Sequence, residues 1–322
     1  TLRVFDRHGE RTSRHKARMK YLIQKIGIDA FKELVVSESA AIIPVRVEDY
    51  FPEVLETTEI KSFDSKSKVI DTDAYQEWLD TNTFKQKDNE LFAVYVKIQL
   101  GNIPTSVSRV FAEIVETFAD EKDIRITINQ NFIIKNIHPS ALPHLFEALQ
   151  QIGLAASGYA SVADITACPG TDTCNLAISN STHISIAMED VIRHEYPDLI
   201  YNKDIQIKIS GCMNACGQHS LAQIGFHGSS FKIGLNVVPA VQLLLGGGKL
   251  SDGKGRISDK IIKVASKRAP EVLPYLFDDL EMNCHENETF NAYYDRKGKD
   301  YFYQLLKPLA DNETLAEVDY ID

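Results

Sequence analysis

Four cysteines carry the clearest chemistry in this sequence. Cys168-Pro-Gly-Thr-Asp-Thr-Cys174 is a C-x5-C pair, and Cys212-Met-Asn-Ala-Cys216 is a C-x3-C pair. Cys284, the fifth cysteine, stands apart and is assigned no role. Paired thiols in a chain without a secretory signal point to metal or redox chemistry and away from disulfides. Structural zinc uses C-x2–4-C knuckles, for which the first pair is too wide. Small ferredoxins crowd their cysteines into C-x2-C runs, which these are not. Soft, anionic thiolates suit a sulfide-bridged iron core, so an iron–sulfur cluster is favoured over structural zinc. Pro169, Gly170, Gly211 and Gly217 would let backbone approach such a cluster closely.

The elements that must position these residues can be read from the apolar pattern. Asp204–Ile209 (DIQIKI) reads as a strand running straight into Cys212, with a turn through Ser210-Gly211 that enters a helix. Asn175–His194 reads as a helix leaving the first pair. LAQIGFHG and AVQLLLGG read as further strands, and Ser258–Asp279 reads as a helix. Upstream, LFAVYVKIQL is a strand. TSVSRVFAEIVETFA (105–119) is an amphipathic helix, IRITINQNFIIKNI is one or two strands, and Pro139–Ile152 is a second helix: a compact α/β unit. Before it, Ser13 caps a helix to Ile26, Gly27 breaks it, and a short helix follows. A short helix near Ala74–Leu79 carries the lone Trp. The expected fold class is α/β (α+β). Expected boundaries are 1–38, a linker at 39–90, an α/β lobe at 91–158 and a cysteine-bearing domain at 159–322.

Bulk properties set limits. The chain has 322 residues, 44% hydrophobic and 25% charged, with net charge −10. The acidic balance disfavours general nucleic-acid binding, and no apolar run reaches the roughly 18 residues of a membrane span. A cytoplasmic location is expected. Basic residues concentrate at 3–20 and 249–268, which suggests either an anionic ligand or partner or simply a solvated helix face.

T-A-C-P-G-T-D-T-C (166–174) and S-G-C-M-N-A-C-G-Q (210–218) resemble, in order and separation, the paired cluster motifs of the siroheme-dependent sulfite and nitrite reductases. I-R-I-T-I-N-Q-N-F-I-I (124–134) is similar to that family's strand facing the siroheme, and D-R-H-G-E-R-T-S-R-H-K-A-R-M-K-Y (6–21) to the basic segment ending its first cofactor-binding half. The resemblance implies a ferredoxin-like half-domain followed by a mixed α/β siroheme and [4Fe-4S] domain. It implies that the chain is the tail of one pseudo-repeat plus the whole second one, with most substrate-binding Arg and Lys upstream of Thr1. Cys168, Cys174, Cys212 and Cys216 would hold the cluster, and Cys216 would also be axial to the siroheme iron. Arg11, Arg14, Arg18 and Lys20 would meet siroheme carboxylates, with Gln130, Asn131 and Asn214 as neutral contacts; turn formation is the competing role for the last three. The implied activity is six-electron reduction of sulfite to sulfide, or of nitrite to ammonia. A ferredoxin or flavoprotein would supply electrons, with 249–268 as a candidate dock. Two alternatives stand beside it: a non-catalytic iron–sulfur or zinc module, and the related precorrin-processing oxygenase of cobalamin synthesis.

Overall fold

A computed structural model describes residues 1–13, 16–42, 60–63, 71–87, 90–119, 124–310 and 315. The chain divides into two units, 1–58 and 59–322. In the first, α1 (Leu2–His8), α2 (Met19–Ile26) and α3 (Ile28–Ala40) enclose a small core of Val4, Leu22 and Phe31. Gly27, at φ 85°, separates α2 from α3, a conformation that costs a residue with a Cβ. Arg3 and Arg7 of α1 both reach Glu38 on α3. Helix α2 begins at Met19 and not near Ser13, where Glu10 organises a turn.

The second unit holds two hydrophobic cores. One lies in the α/β lobe. α4 (Thr72–Asn82) leads into β1 (Thr83–Lys85), then β2 (Phe92–Val96), α5 (Thr105–Phe118), β3 (Ile124–Ile126), β4 (Phe132–Ile137) and α6 (Leu142–Gln151). The four strands form an antiparallel sheet in the order β1-β2-β4-β3. Phe111, Ile114, Val115 and Phe118 of α5 face the core as the spacing predicts, whereas Val110 is exposed. α4 and β1 fall inside the expected 39–90 linker but belong to this lobe. Trp78 is fully buried against Phe146, and β1 pairs with β2. The polar text around them hid a half-buried helix whose apolar residues are few but large.

The other core surrounds a five-stranded sheet. Its elements are β5 (Thr166–Ala167), α7 (Ser181–Glu195), β6 (Ile207–Ser210), β7 (Ile224–Ile233), β8 (Asn236–Leu245), the small β9 (Gly248–Lys249) and β10 (Gly255–Arg256) pair, and β11 (Asp259–Ala265). Then follow α8 (Val272–Asn283), α9 (Phe290–Lys297) and α10 (Lys299–Leu306). The order is β11-β8-β7-β6-β5, with β5 and β6 parallel to their neighbours and the rest antiparallel. The single helix expected over 258–279 is instead β11, a 3-10 turn through Pro270, and α8. Ile261, Ile262, Val264 and Ala265 satisfy a helical and a strand period equally. β-branched density and the open edge of β8 favour the strand. Helix α7 starts at Ser181, six residues later than the expected Asn175, because 175–180 close the first cysteine loop. No helix among the described residues is long and apolar enough to cross a membrane.

Candidate functional site

The two cysteine loops leave adjacent strand ends. Cys168 follows β5 and Cys212 follows β6, and Cys168 N–H donates to the Ile209 carbonyl at 3.1 Å, continuing the ladder to the loop itself. Beyond that point the loops pack on each other. Gly211 N–H donates to Cys168 Sγ at 3.1 Å, and the Gly211 carbonyl accepts from Ile178 at 2.7 Å and Ser179 at 3.2 Å. Ser181 Oγ donates to the Cys168 carbonyl at 2.7 Å. The approach is so close that a Cβ on Gly211 would sit 2.6 Å from Gly170 Cα, and one on Gly228 would run into the Gly211 carbonyl.

The second loop is closed at its base by β6. Ser210 Oγ accepts from Gly217 N–H at 3.0 Å and contacts His219 Nδ1 at 2.8 Å. Two residues earlier on the same strand face, Lys208 Nζ donates to Gln218 Oε1 at 2.9 Å. Burial pulls the Lys208 ammonium below its usual range, against the opposing pull of the Asp164 charge. The chain after Cys216 enters a 3-10 turn, His219–Leu221, and not the expected α-helix. A helix N-terminus is therefore not what faces this loop.

All five cysteines are unpaired. Cys212 is buried, Cys168 and Cys174 are half-buried, and Cys216 is exposed. Among the described residues, no three His, Cys, Asp or Glu side chains are gathered in metal-holding geometry. The structure thus brings the two loops together without closing four sulfurs on one point. The donor chemistry still fits an iron–sulfur cluster: four free thiols on two packed loops, one already accepting a backbone N–H. Cys284 lies outside this group, and its Sγ meets the Glu288 carbonyl at 3.5 Å.

Gln130 and Asn131 sit on the turn between β3 and β4, with their amides committed. Gln130 bonds both backbone groups of Ala167: Nε2 donates to the carbonyl at 2.9 Å and Oε1 accepts from the N–H at 3.2 Å. Asn131 is 1% exposed; its Nδ2 donates to both Asp164 oxygens at 3.1 and 3.0 Å, and Oδ1 accepts from Ile98 N–H at 2.7 Å. The Asn131 side chain thus ties the turn to Ile98 and Asp164. Asn214 is half-buried inside the second loop.

Around this turn lies a charge network that the sequence reading missed. Lys97 on the strand end pairs with Glu189 of α7 at 2.7 Å, both side chains 5% exposed, and donates to the Ala163 carbonyl at 2.5 Å. Burial raises the Asp164 and Glu189 carboxyls, and the Lys97 charge opposes both shifts. The available signal was an ionisable residue inside an apolar run, as in FAVYVKIQL and IQIKI.

In the first unit, a cavity of about 750 Å³ is lined by His8, Arg11, Lys16 and Lys25 among others. Arg11 is exposed and bonds the Asp6 carboxylate at 2.6 Å. Glu10 accepts N–H bonds from Thr12 and Ser13, and with the Thr12 hydroxyl these hold its carboxyl down at about 2. Arg18 and Lys20 are exposed at the start of α2, where Lys20 lies 5.1 Å from the Tyr21 ring. Arg14 lies outside the described residues.

Comparison with known proteins finds similarity to nitrite and sulfite reductases. The family described as the nitrite/sulfite reductase ferredoxin-like half domain matches residues 84–152, and the nitrite and sulphite reductase 4Fe-4S domain family matches residues 1–42. The ferredoxin–nitrite reductase of Synechococcus elongatus is 24% identical over 276 residues, 85% of this chain and 48% of the relative. The ferredoxin sulfite reductase of Mycobacterium tuberculosis H37Rv is 26% identical over 304 residues, 92% and 50%. Among solved structures, the Mycobacterium tuberculosis NirA protein superposes with TM-score 0.64 at 22% identity, covering 91% of this chain and 50% of that one. Over these segments the chain is similar to the nitrite and sulfite reductases.

It spans about half the length of the curated relatives it matches. The structure of dissimilatory sulfite reductase I, at TM-score 0.54 and 10% identity, shares the fold over 72% of this chain. The ferredoxin-like match begins at Phe84, within β1. Both cysteine loops lie outside the two matched family segments, so their assignment rests on their own residues and geometry.

Proposed function

We propose that this chain contributes the iron–sulfur half of an enzyme that reduces sulfite to sulfide, or nitrite to ammonia, by six electrons. Cys168, Cys174, Cys212 and Cys216 would hold a [4Fe-4S] cluster, and Cys216 would also reach a siroheme. The observation carrying this reading is the Gly211 N–H on Cys168 Sγ, which puts the two cysteine loops against one another. Amide N–H groups aimed at sulfur favour an anionic, thiolate-bound cluster. The exposure gradient supports the split of roles, since Cys212 is buried whereas Cys216 faces outward, as a thiolate shared with a second group must.

When bound, the coupled cluster and siroheme supply electron storage and an anion-binding metal; the protein supplies orientation and charge. Ser210 and Lys208 fix the return of the second loop, so that Cys216 is presented from a held backbone. Arg11, Arg14, Arg18 and Lys20 would supply cations for the carboxylates of siroheme, which are costly to bury without them. A ferredoxin or flavoprotein delivers electrons; the names of two relatives, a ferredoxin–nitrite reductase and a ferredoxin sulfite reductase, support the first of these. Within the basic stretch considered as its dock, Arg256 and Lys254 are tied to Asp295 and Asp252, leaving Lys249, Lys260 and Lys267 exposed.

Sulfite is the substrate favoured by the C-P-G-T-D-T-C loop. The test is oxidation of reduced methyl viologen by the intact gene product with each anion in turn. Faster turnover per unit KM with sulfite supports the assignment, a preference for nitrite reverses it, and no turnover with either overturns the catalytic reading.

A further inference from the structure

We infer that Gln130 is a positioning residue: its side-chain amide latches the first cysteine loop to the α/β lobe and sets Cys168 against Gly211 of the second loop. The inference deepens the cluster reading above and depends on it only for its consequence.

The argument starts from the sheet. β5 is the edge strand of the five-stranded sheet, paired with β6 on one side only. Thr166 and Cys168 direct their ladder groups toward β6, so Ala167 directs its N–H and carbonyl outward. An unpaired N–H and carbonyl at a buried edge are costly. The Gln130 amide satisfies both, at 3.2 and 2.9 Å, standing in for a residue of a sixth strand. Cys168 is the next residue.

The latch is itself anchored. Gln130 holds a left-handed φ of 66°, uncommon for a residue with a Cβ. The turn that imposes it is closed by Thr127 N–H to the Asn131 carbonyl at 2.8 Å and by Asn131 N–H to Thr127 Oγ1 at 3.2 Å. Asn131 is then pinned by Asp164 and Ile98. A chain of hydrogen bonds, buried at Asn131 and part-buried at Gln130, therefore runs from the ends of β2 and β4 through one amide to the residue preceding Cys168. The Gly211 N–H to Cys168 Sγ contact depends on that residue staying put. Gln130 needs no contact with cofactor to act; it presents the loop in the arrangement a cluster would capture.

The test is capture of Cys168 by iodoacetamide in the intact gene product, in the presence of an iron chelator, followed by peptide mass mapping. Gln130→Met keeps the length and removes the amide. Losing two backbone hydrogen bonds raises the open population of the loop, so Cys168 alkylation speeds up about ten-fold or more while Cys284 keeps its wild-type rate. Gln130→Glu keeps only the acceptor for Ala167 N–H and gives a smaller rise; it also serves if Gln130→Met does not fold. Unchanged Cys168 rates in the folded variants overturn the latch. So does a parallel rise at Cys168, Cys174 and Cys284, which signals general loosening. Wild-type protein without iron and sulfide would refute the cofactor reading, while the alkylation ratio would still decide the latch.

Discussion

Lys97→Met tests the electrostatic architecture beneath the site. Lys97 and Glu189 are both 5% exposed and 2.7 Å apart, and Glu189 also accepts from Ile165 N–H at 3.2 Å. Removing the ammonium leaves a carboxylate buried with Asp164 as a like-charged neighbour. Breaking one partner of a buried pair costs about 3–5 kcal/mol. For a domain of this size that lowers Tm by roughly 6–20 °C. The pH dependence follows from the direction of the shifts. Asp164 and Glu189 are already raised above their unfolded values by burial, and losing Lys97 raises them further. Between unfolded and folded values the native state holds more protons, so stability falls as pH rises through that window. The deficit of Lys97→Met is therefore larger at pH 8 than at pH 5. Adding Glu189→Gln removes the orphaned charge, keeps an acceptor for Ile165, and recovers most of the loss. Thermal and urea unfolding of the intact gene product and its variants, across pH 5–8, measures this. A loss under about 1 kcal/mol, independent of pH, would refute the reasoning.

Three further outcomes are expected. Gly228→Ala places a Cβ against the Gly211 carbonyl and costs about 1–3 kcal/mol or more, with lost iron, by unfolding and metal analysis. Asn131→Asp sets a carboxylate where Nδ2 now donates to Asp164, so the variant is less stable than wild type at pH 8 by about 1–3 kcal/mol and recovers toward pH 5, read by urea titration. Cys284→Ser leaves iron content at the wild-type level, because that residue packs against the core near α8 with its Sγ on the Glu288 carbonyl and lies outside both cysteine loops, whereas Cys216→Ser lowers it.

Much of the site was legible because its information is local. Cys168, Cys174, Cys212 and Cys216 stand out by type and spacing, and DIQIKI announces the strand delivering the second pair. The α/β lobe was readable from α5, whose apolar face repeats at helical spacing. What escaped was set by partners distant in sequence. Ile261–Ala265 became a strand because β8 offered an edge, which no window around 258–279 contains. Gln130 and Asn131 carried the right residue types for polar contacts, but their partners, Ala167 and Asp164, lie over 30 residues away. Trp78 looked like part of a linker because its packing partner Phe146 belongs to α6.

Iron and acid-labile sulfide analysis of the intact gene product, alongside the four single Cys→Ala variants, tests the central claim most directly. The account predicts about four iron and four sulfide per chain in the wild type, with loss of iron on substituting any one of Cys168, Cys174, Cys212 or Cys216. Stoichiometric zinc without sulfide, or full iron retention when a cysteine of either loop is replaced, would contradict it.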